Sequence, residues 1–314
     1  MRFENAVVIG TGMMGPGIAL TLALGGMRVT IASRSAEGAA RGIETARRQI
    51  EVLRSNGLIT DDAAAAGRAR ITAGVDLENL VRDANLVIES APENMQFKQE
   101  LFVRLDGLTS PDCVLASNTS GLSITAVASR CTRPERVLTA HFWNPPHLMP
   151  LVELVKGERT ADNVVEAVRQ LLLHCGKVPV VVKKDRPGQL GNRLQMALVR
   201  EAAYIVQEGI ATVEDVDRAA KMGFGLRLPV YGIFEHQDAV GLDMGLHILD
   251  YVAQDLYNEP RAPMEYRGHV ERGETGAKSG RGFYDWSTKN LDEVKALRDR
   301  FVLDVVRDYK LPPD

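Results

Sequence analysis

Residues 6–15 read Ala6-Val7-Val8-Ile9-Gly10-Thr11-Gly12-Met13-Met14-Gly15. A short apolar run leads straight into three spaced glycines. Beyond them Met14, Ile18 and Leu22 recur every four residues, with Ala19 and Ala23 alongside, which is one buried face of a helix. Strand, G-x-G-x-x-G loop and helix in that order predict a dinucleotide-binding unit. Gly10 permits the tight turn, Gly12 lets the backbone approach a pyrophosphate, and Gly15 lets the helix pack close to the strand. Met13 and Met14 complete the loop, and the free N–H groups at the helix start suit an anion.

The pattern continues outward. Apolar runs recur at Val29–Ala32, Ile71–Ala73, Leu86–Ile88, Val114–Ala116, Val137–Ala140, Leu151–Val155 and Val178–Val182. Most are short and rich in β-branched residues, which favours strands. Helical patterns between the early runs imply a parallel sheet covered on both faces. The stretch from Ala36 to Arg70 reads as a helical pair projecting from that sheet. After Pro187-Gly188 the chain turns almost wholly helical. Gly209 and Gly223 act as stop signals, Thr212 with Asp215 resembles a capping box, and a last amphipathic helix runs from about Leu291 to Tyr309. The fold class predicted is α/β: a Rossmann-type doubly wound sheet over residues 1–187, then an all-helical domain over residues 188–314.

Composition narrows the function classes. The 314 residues suit two domains. With 38 Lys and Arg against 41 Asp and Glu, the net charge of −3 excludes attachment to nucleic acid through a strongly basic surface. No apolar run approaches the ~20 residues that cross a bilayer. The strand pattern begins at Ala6, so no signal peptide is expected and the reading is cytoplasmic. Cys113, Cys131 and Cys175 have neither metal-ligand nor redox spacing, so no metal and no disulfide framework is expected.

The second strand ends in Ser33-Arg34, where an NAD-binding domain normally carries Asp or Glu. A small hydroxyl followed by Arg accepts a 2′-phosphate, so NADP is favoured over NAD. Polar residues follow the later strands: Glu93 and Lys98, then Asn118 and Ser120, then His141 and Asn144. Open α/β sheets keep their ligand crevice at those strand ends. Glu153 lies inside the apolar run Leu151–Val155 and needs a partner there. His141 is the candidate. A carboxylate on one imidazole nitrogen fixes the tautomer and leaves the other nitrogen free as a base. Ser120 and Asn192 are placed to hydrogen-bond a substrate oxygen, although Asn192 also suits a helix cap.

These motifs, in this order, resemble the 3-hydroxyacyl-CoA dehydrogenase family over nearly the whole chain. The match rests on Gly10–Gly15, Glu93 with Lys98, Ser117-Asn118-Thr119-Ser120, His141-Phe142-Trp143-Asn144-Pro145, Leu151-Val152-Glu153, Pro187-Gly188 with Asn192-Arg193, Val240-Gly241-Leu242-Asp243, and Lys278-Ser279-Gly280 with Gly282-Phe283-Tyr284. The resemblance implies a His141–Glu153 pair, substrate contacts from Ser120 and Asn192, and Glu93 and Lys98 near the nicotinamide ribose. It also implies a homodimer joined through the helical domain, a small-molecule substrate, and a place in fatty acid metabolism. The segment Gly225–Glu235, with Arg227, is longer than the usual one and looks more like the lambda-crystallin and L-gulonate 3-dehydrogenase branch. That branch acts on free hydroxy acids, and Arg227 would clamp a carboxylate. The 6-phosphogluconate-like dehydrogenases rely on a lysine, which the His141–Glu153 pair speaks against. A non-catalytic, crystallin-like nucleotide binder has no reason to keep the polar set.

Overall fold

The computed structural model of the protein describes residues 1–308. The chain divides into two compact units: Met1–Arg193 joined by the residues from Ala296 onward, and Leu194–Lys295.

The first unit opens with β1 (Asn5–Ile9), α1 (Gly15–Leu24), β2 (Arg28–Ala32), α2 (Ala36–Ser55), α3 (Asp61–Ala69) and β3 (Ile71–Gly74). It continues with α4 (Leu77–Arg82), β4 (Leu86–Glu89), α5 (Met95–Leu108), β5 (Val114–Ser117), α6 (Ile124–Val127), β6 (Val137–Phe142), β7 (Leu151–Lys156), α7 (Asp162–His174) and β8 (Val178–Val182). The eight strands form one sheet in the order β3-β2-β1-β4-β5-β6-β7-β8. The order reverses beside β1, where such sheets leave a crevice for ligands.

Alternate residues of the central strands serve opposite faces. Val8, Ile31 and Ile88 pack with Ile18 and Leu22 of α1 and Val168 of α7. Val7, Val87 and Leu115 pack with Phe102 and Leu105 of α5. Both layers are buried, as a doubly wound sheet requires.

Three expectations change. The sheet is not wholly parallel, because β6 and β7 pair antiparallel. The connection from Trp143 to Pro150 is too short for the crossover that a parallel neighbour needs. The helical pair α2 and α3 does not simply project: Ile50, Leu53 and Ala64 cluster with Leu20 of α1. The last helix, α14 below, returns to the first unit, where Leu303 joins that same cluster.

α8 (Gly191–Gln207) leaves the first unit at its third residue and continues into the second. There follow α9 (Val213–Met222), α10 (Phe224–Arg227), α11 (Ile233–Val240), α12 (Leu242–Val252) and α13 (Met264–Glu271), and then α14 (Leu291–Asp308). Tyr309, the expected end of α14, lies outside the described residues. Thr212 caps α9 by accepting the Asp215 N–H at 3.2 Å. The Gly-rich turn after α13 is structural. Gly276 and Gly280 have positive φ, and Tyr284 donates its hydroxyl to Asp217 at 2.9 Å. Between α8, α9, α13 and that turn lies a cavity of about 680 Å³, lined by second-unit residues alone. None of the described helices is long and apolar enough to cross a membrane.

Candidate active site

The glycine loop has the shape that a dinucleotide needs. Gly10 has φ +118°, and a Cβ there would lie 2.4 Å from the Ser90 carbonyl oxygen. A Cβ on Gly15 would lie 1.9 Å from the Gly10 carbonyl oxygen, so loop and helix are already in contact. Gly12 differs, because a Cβ there would meet nothing within 4 Å. That open space sits before α1, whose N-terminus has no side-chain cap. An exposed backbone with unsatisfied donors fits a pyrophosphate. At the end of β2, the Ser33 hydroxyl rests against Gly38 and accepts the Ser35 N–H at 3.3 Å. Arg34 is exposed and makes no ion pair among the described residues.

Beyond β4 lies a buried charge cluster. Lys98 and Glu89 are both inaccessible to solvent, with Nζ 2.6 Å from Oε1. Glu89 also accepts the Ser117 hydroxyl and the Ala91 N–H, each at 2.6 Å. The Lys98 ammonium stands 3.5 Å from Glu93, whose side chain reaches solvent. Glu93 accepts from the Thr119 hydroxyl at 2.8 Å and from the Ser120 N–H and hydroxyl at 2.7 and 3.1 Å. Burial opposes ionisation of Glu93, but these donors and Lys98 prevail and hold it below its usual range. Asn118 ties the strand ends together, donating to the Ser90 hydroxyl and accepting the Phe142 N–H.

The second cluster spans β6 and β7. His141 and Glu153 are register partners across the antiparallel pair. His141 Nδ1 lies 2.8 Å from Glu153 Oε2. Glu153 has no solvent exposure and four partners. Trp143 donates its indole N–H to Oε2 at 3.0 Å, and the backbone N–H groups of Leu190 and Gly191 donate to Oε1 at 2.9 and 2.8 Å. Burial alone would raise the carboxyl's pKa, but His141, Gly191, Trp143 and Leu190 outweigh it and bring it down to about 2. His141 Nε2 has no partner among the described residues, and the side chain keeps a small opening to solvent.

Asn192, the second residue of α8, donates its amide to the Ser120 carbonyl oxygen at 2.9 Å. Ser120 and Asn192 thus meet, and Ser120 links them to Glu93. Asn144 is exposed just after β6, whereas Arg227 is exposed on α10 of the second unit. Among the described residues no group of His, Cys, Asp and Glu is placed to hold a metal ion.

The sequence alone assigns no role to Glu89, to Trp143 or to the backbone of Leu190 and Gly191. Glu89 was legible as a charge ending an apolar strand, the same signal that singled out Glu153. Trp143 was legible only as a large donor beside His141. The backbone donors at Leu190 and Gly191 leave no trace in residue type.

Chemically, the chain offers a dinucleotide loop and a carboxylate-held imidazole with one free nitrogen. Two family models cover it: the NAD-binding domain of 3-hydroxyacyl-CoA dehydrogenase matches residues 5–186, and that enzyme's C-terminal domain matches residues 188–286. The chain belongs to the 3-hydroxyacyl-CoA dehydrogenase family. It is an oxidoreductase of that family, built on an NAD-binding domain. The chain is 37% identical over 280 residues to 3-hydroxybutyryl-CoA dehydrogenase of Bradyrhizobium diazoefficiens, covering 89% of this chain and 94% of the relative. It is 36% identical over 308 residues to 5-formyl-3-hydroxy-2-methylpyridine 4-carboxylate 5-dehydrogenase of Mesorhizobium japonicum, covering 97% of each. A crystal structure of a dehydrogenase with that pyridine activity, described as an NAD+-dependent dismutase, aligns with a TM-score of 0.91 at 33% identity over 98% of both chains.

Proposed function

We propose that this family member reversibly oxidises the hydroxyl at carbon 3 of a 3-hydroxyacyl compound, with 3-hydroxyacyl-CoA as the leading candidate. The buried His141–Glu153 pair carries this reading. A bound nicotinamide cofactor would supply the acceptor for the hydride leaving carbon 3. His141 Nε2 takes the hydroxyl proton, because Nδ1 is committed to Glu153. Glu153, fully ionised, stabilises the imidazolium that results. Ser120 and Asn192 orient the substrate oxygen beside them. The glycine loop would hold the pyrophosphate, and Glu93, beside the Lys98 ammonium, would hold the nicotinamide ribose.

The test is cofactor reduction with 3-hydroxybutyryl-CoA and with free 3-hydroxy acids, alongside a His141→Gln variant. We expect turnover with the wild type and loss of about a thousandfold or more in the variant, with cofactor binding retained. Turnover near wild type in the variant removes His141 from the reaction. No turnover with any substrate favours the crystallin-like binder.

A second reading, a small free carboxylate as substrate, draws on the nearly end-to-end match to the pyridine carboxylate dehydrogenase. Arg227, exposed on α10 with no ion pair among the described residues, is the group for such a carboxylate. Under this reading Arg227→Ala raises KM for free acids and leaves KM for thioesters alone.

Ser33 and the unpaired Arg34 support a preference for NADP(H). Ser33→Asp is expected to move kcat/KM toward NAD(H), and a wild type that already prefers NAD(H) contradicts the preference. A homodimer is supported by the apolar surface of α10, α11 and α12, where Leu226, Phe234, Leu249 and Tyr251 are exposed. Phe234→Asp with Leu249→Asp should yield a monomer in sedimentation. The three free cysteines support a cytoplasmic location.

A further inference from the structure

Trp143 stands where a hydrogen-bond donor to Glu153 has a particular consequence. An ionised carboxylate offers about four acceptor sites. Glu153 has four donors around it, two on each oxygen. The two backbone N–H groups and the indole N–H are donors only, and none can exchange roles. On Oε2 the indole and His141 Nδ1 share one oxygen. The indole dipole donated there stabilises negative charge on that oxygen. A stabilised carboxylate on Oε2 favours the arrangement in which His141 Nδ1 is the donor.

A second observation concerns packing. A Cβ on Gly191 would lie 2.5 Å from Trp143 Cζ2. The indole thus fills the space over the first residue of α8, whose N–H also bonds Glu153. Its ring is tilted 49° from that of His141, with centroids 5.9 Å apart.

We propose that Trp143 is a positioning residue of the His141–Glu153 pair: its indole N–H fixes the carboxylate that holds His141 Nδ1, and its ring seats the start of α8 against them. This rests on the reading of His141 as the base. Its polar atom reaches no other described residue, so the hydrogen-bonding part of its effect passes through Glu153.

The test is a double-mutant cycle on the full-length protein, using Trp143→Phe, Glu153→Gln and the two combined, with His141→Gln run in parallel. Phe keeps most of the ring and removes the donor. We expect Trp143→Phe to lower kcat about tenfold while the cofactor KM stays unchanged, since a bond to a charged group is lost. With Glu153→Gln already present, the same change should lower kcat by less than about twofold, because residues that act through one another are non-additive. Equal losses in both backgrounds, or no loss in the wild-type background, overturn the proposal. A silent Trp143→Phe beside an inactive His141→Gln overturns this proposal alone, whereas an active His141→Gln overturns both it and the reading beneath it.

A measurement that keeps Trp143 covers poor folding of the variant. The chain has two tryptophans, so Trp286→Phe leaves Trp143 as the only indole. In that background the indole proton should resonate downfield by NMR and move upfield on Glu153→Gln. An unmoved resonance overturns the proposal.

Discussion

Gly191 donates its backbone N–H to Glu153 Oε1 at 2.8 Å, so the carboxylate that holds His141 also begins the helix that carries Asn192. Glu153→Gln separates these two tasks. Its amide oxygen still accepts from Leu190 and Gly191, but its amide nitrogen faces two donors, His141 Nδ1 and Trp143 Nε1. We expect kcat to fall about a hundredfold or more while the fold survives. Circular dichroism alongside kinetics checks this, and an unfolded variant assigns Glu153 to stability alone.

The glycines of the loop should fail in different ways. Gly10→Ala places a methyl 2.4 Å from a backbone oxygen at a positive φ, so it should lower Tm clearly. Gly12→Ala meets nothing in the protein and should fold normally, yet bind cofactor at least about tenfold more weakly. Thermal melts and cofactor titration distinguish the two. Tight cofactor binding by Gly12→Ala moves the pyrophosphate elsewhere.

Lys98 and Glu89 form an ion pair with neither member exposed. Lys98→Met strands the Glu89 charge, which costs about 3–5 kcal/mol when a buried pair is broken from one side. Lys98→Met with Glu89→Gln should recover part of that loss. Denaturant unfolding of both variants measures it, and a single variant as stable as the wild type refutes the pairing.

Glu153 also predicts an acid limb of stability. Its folded pKa is about 2, below the ordinary 4.5. The unfolded chain therefore takes up the proton first as pH falls. The stabilisation is complete above about pH 4.5 and is lost as pH falls toward 2. Glu153→Gln should flatten the unfolding midpoint over that window relative to the wild type. An unchanged pH dependence contradicts the depressed value.

Much of the site was legible because its chemistry conflicts with its setting. A glutamate inside Leu151–Val155 requires a partner, and the histidine one strand earlier was the available one. The strands were legible for the same local reason, as β-branched runs between polar punctuation. What stayed hidden was the destination of each surface. The pattern of α14 shows an apolar stripe but not that Leu303 joins Leu20 and Ile50. Lys98 has the residue type of a cofactor contact, yet its ammonium is buried against Glu89, and of the two groups only Glu93 reaches solvent. Helical periodicity reports that a face is covered and is silent about what covers it.

The antiparallel turn from β6 to β7 makes the dyad a matter of register. His141 and Glu153 meet because they are opposite residues on adjacent strands, not because twelve positions separate them. A slip of one residue in β7 would turn Glu153 to the opposite face of the sheet. The interval of twelve only counts the residues that return the chain in that register. Distant relatives of this enzyme are therefore better recognised by a histidine and a glutamate that share one face of a hairpin than by any fixed interval.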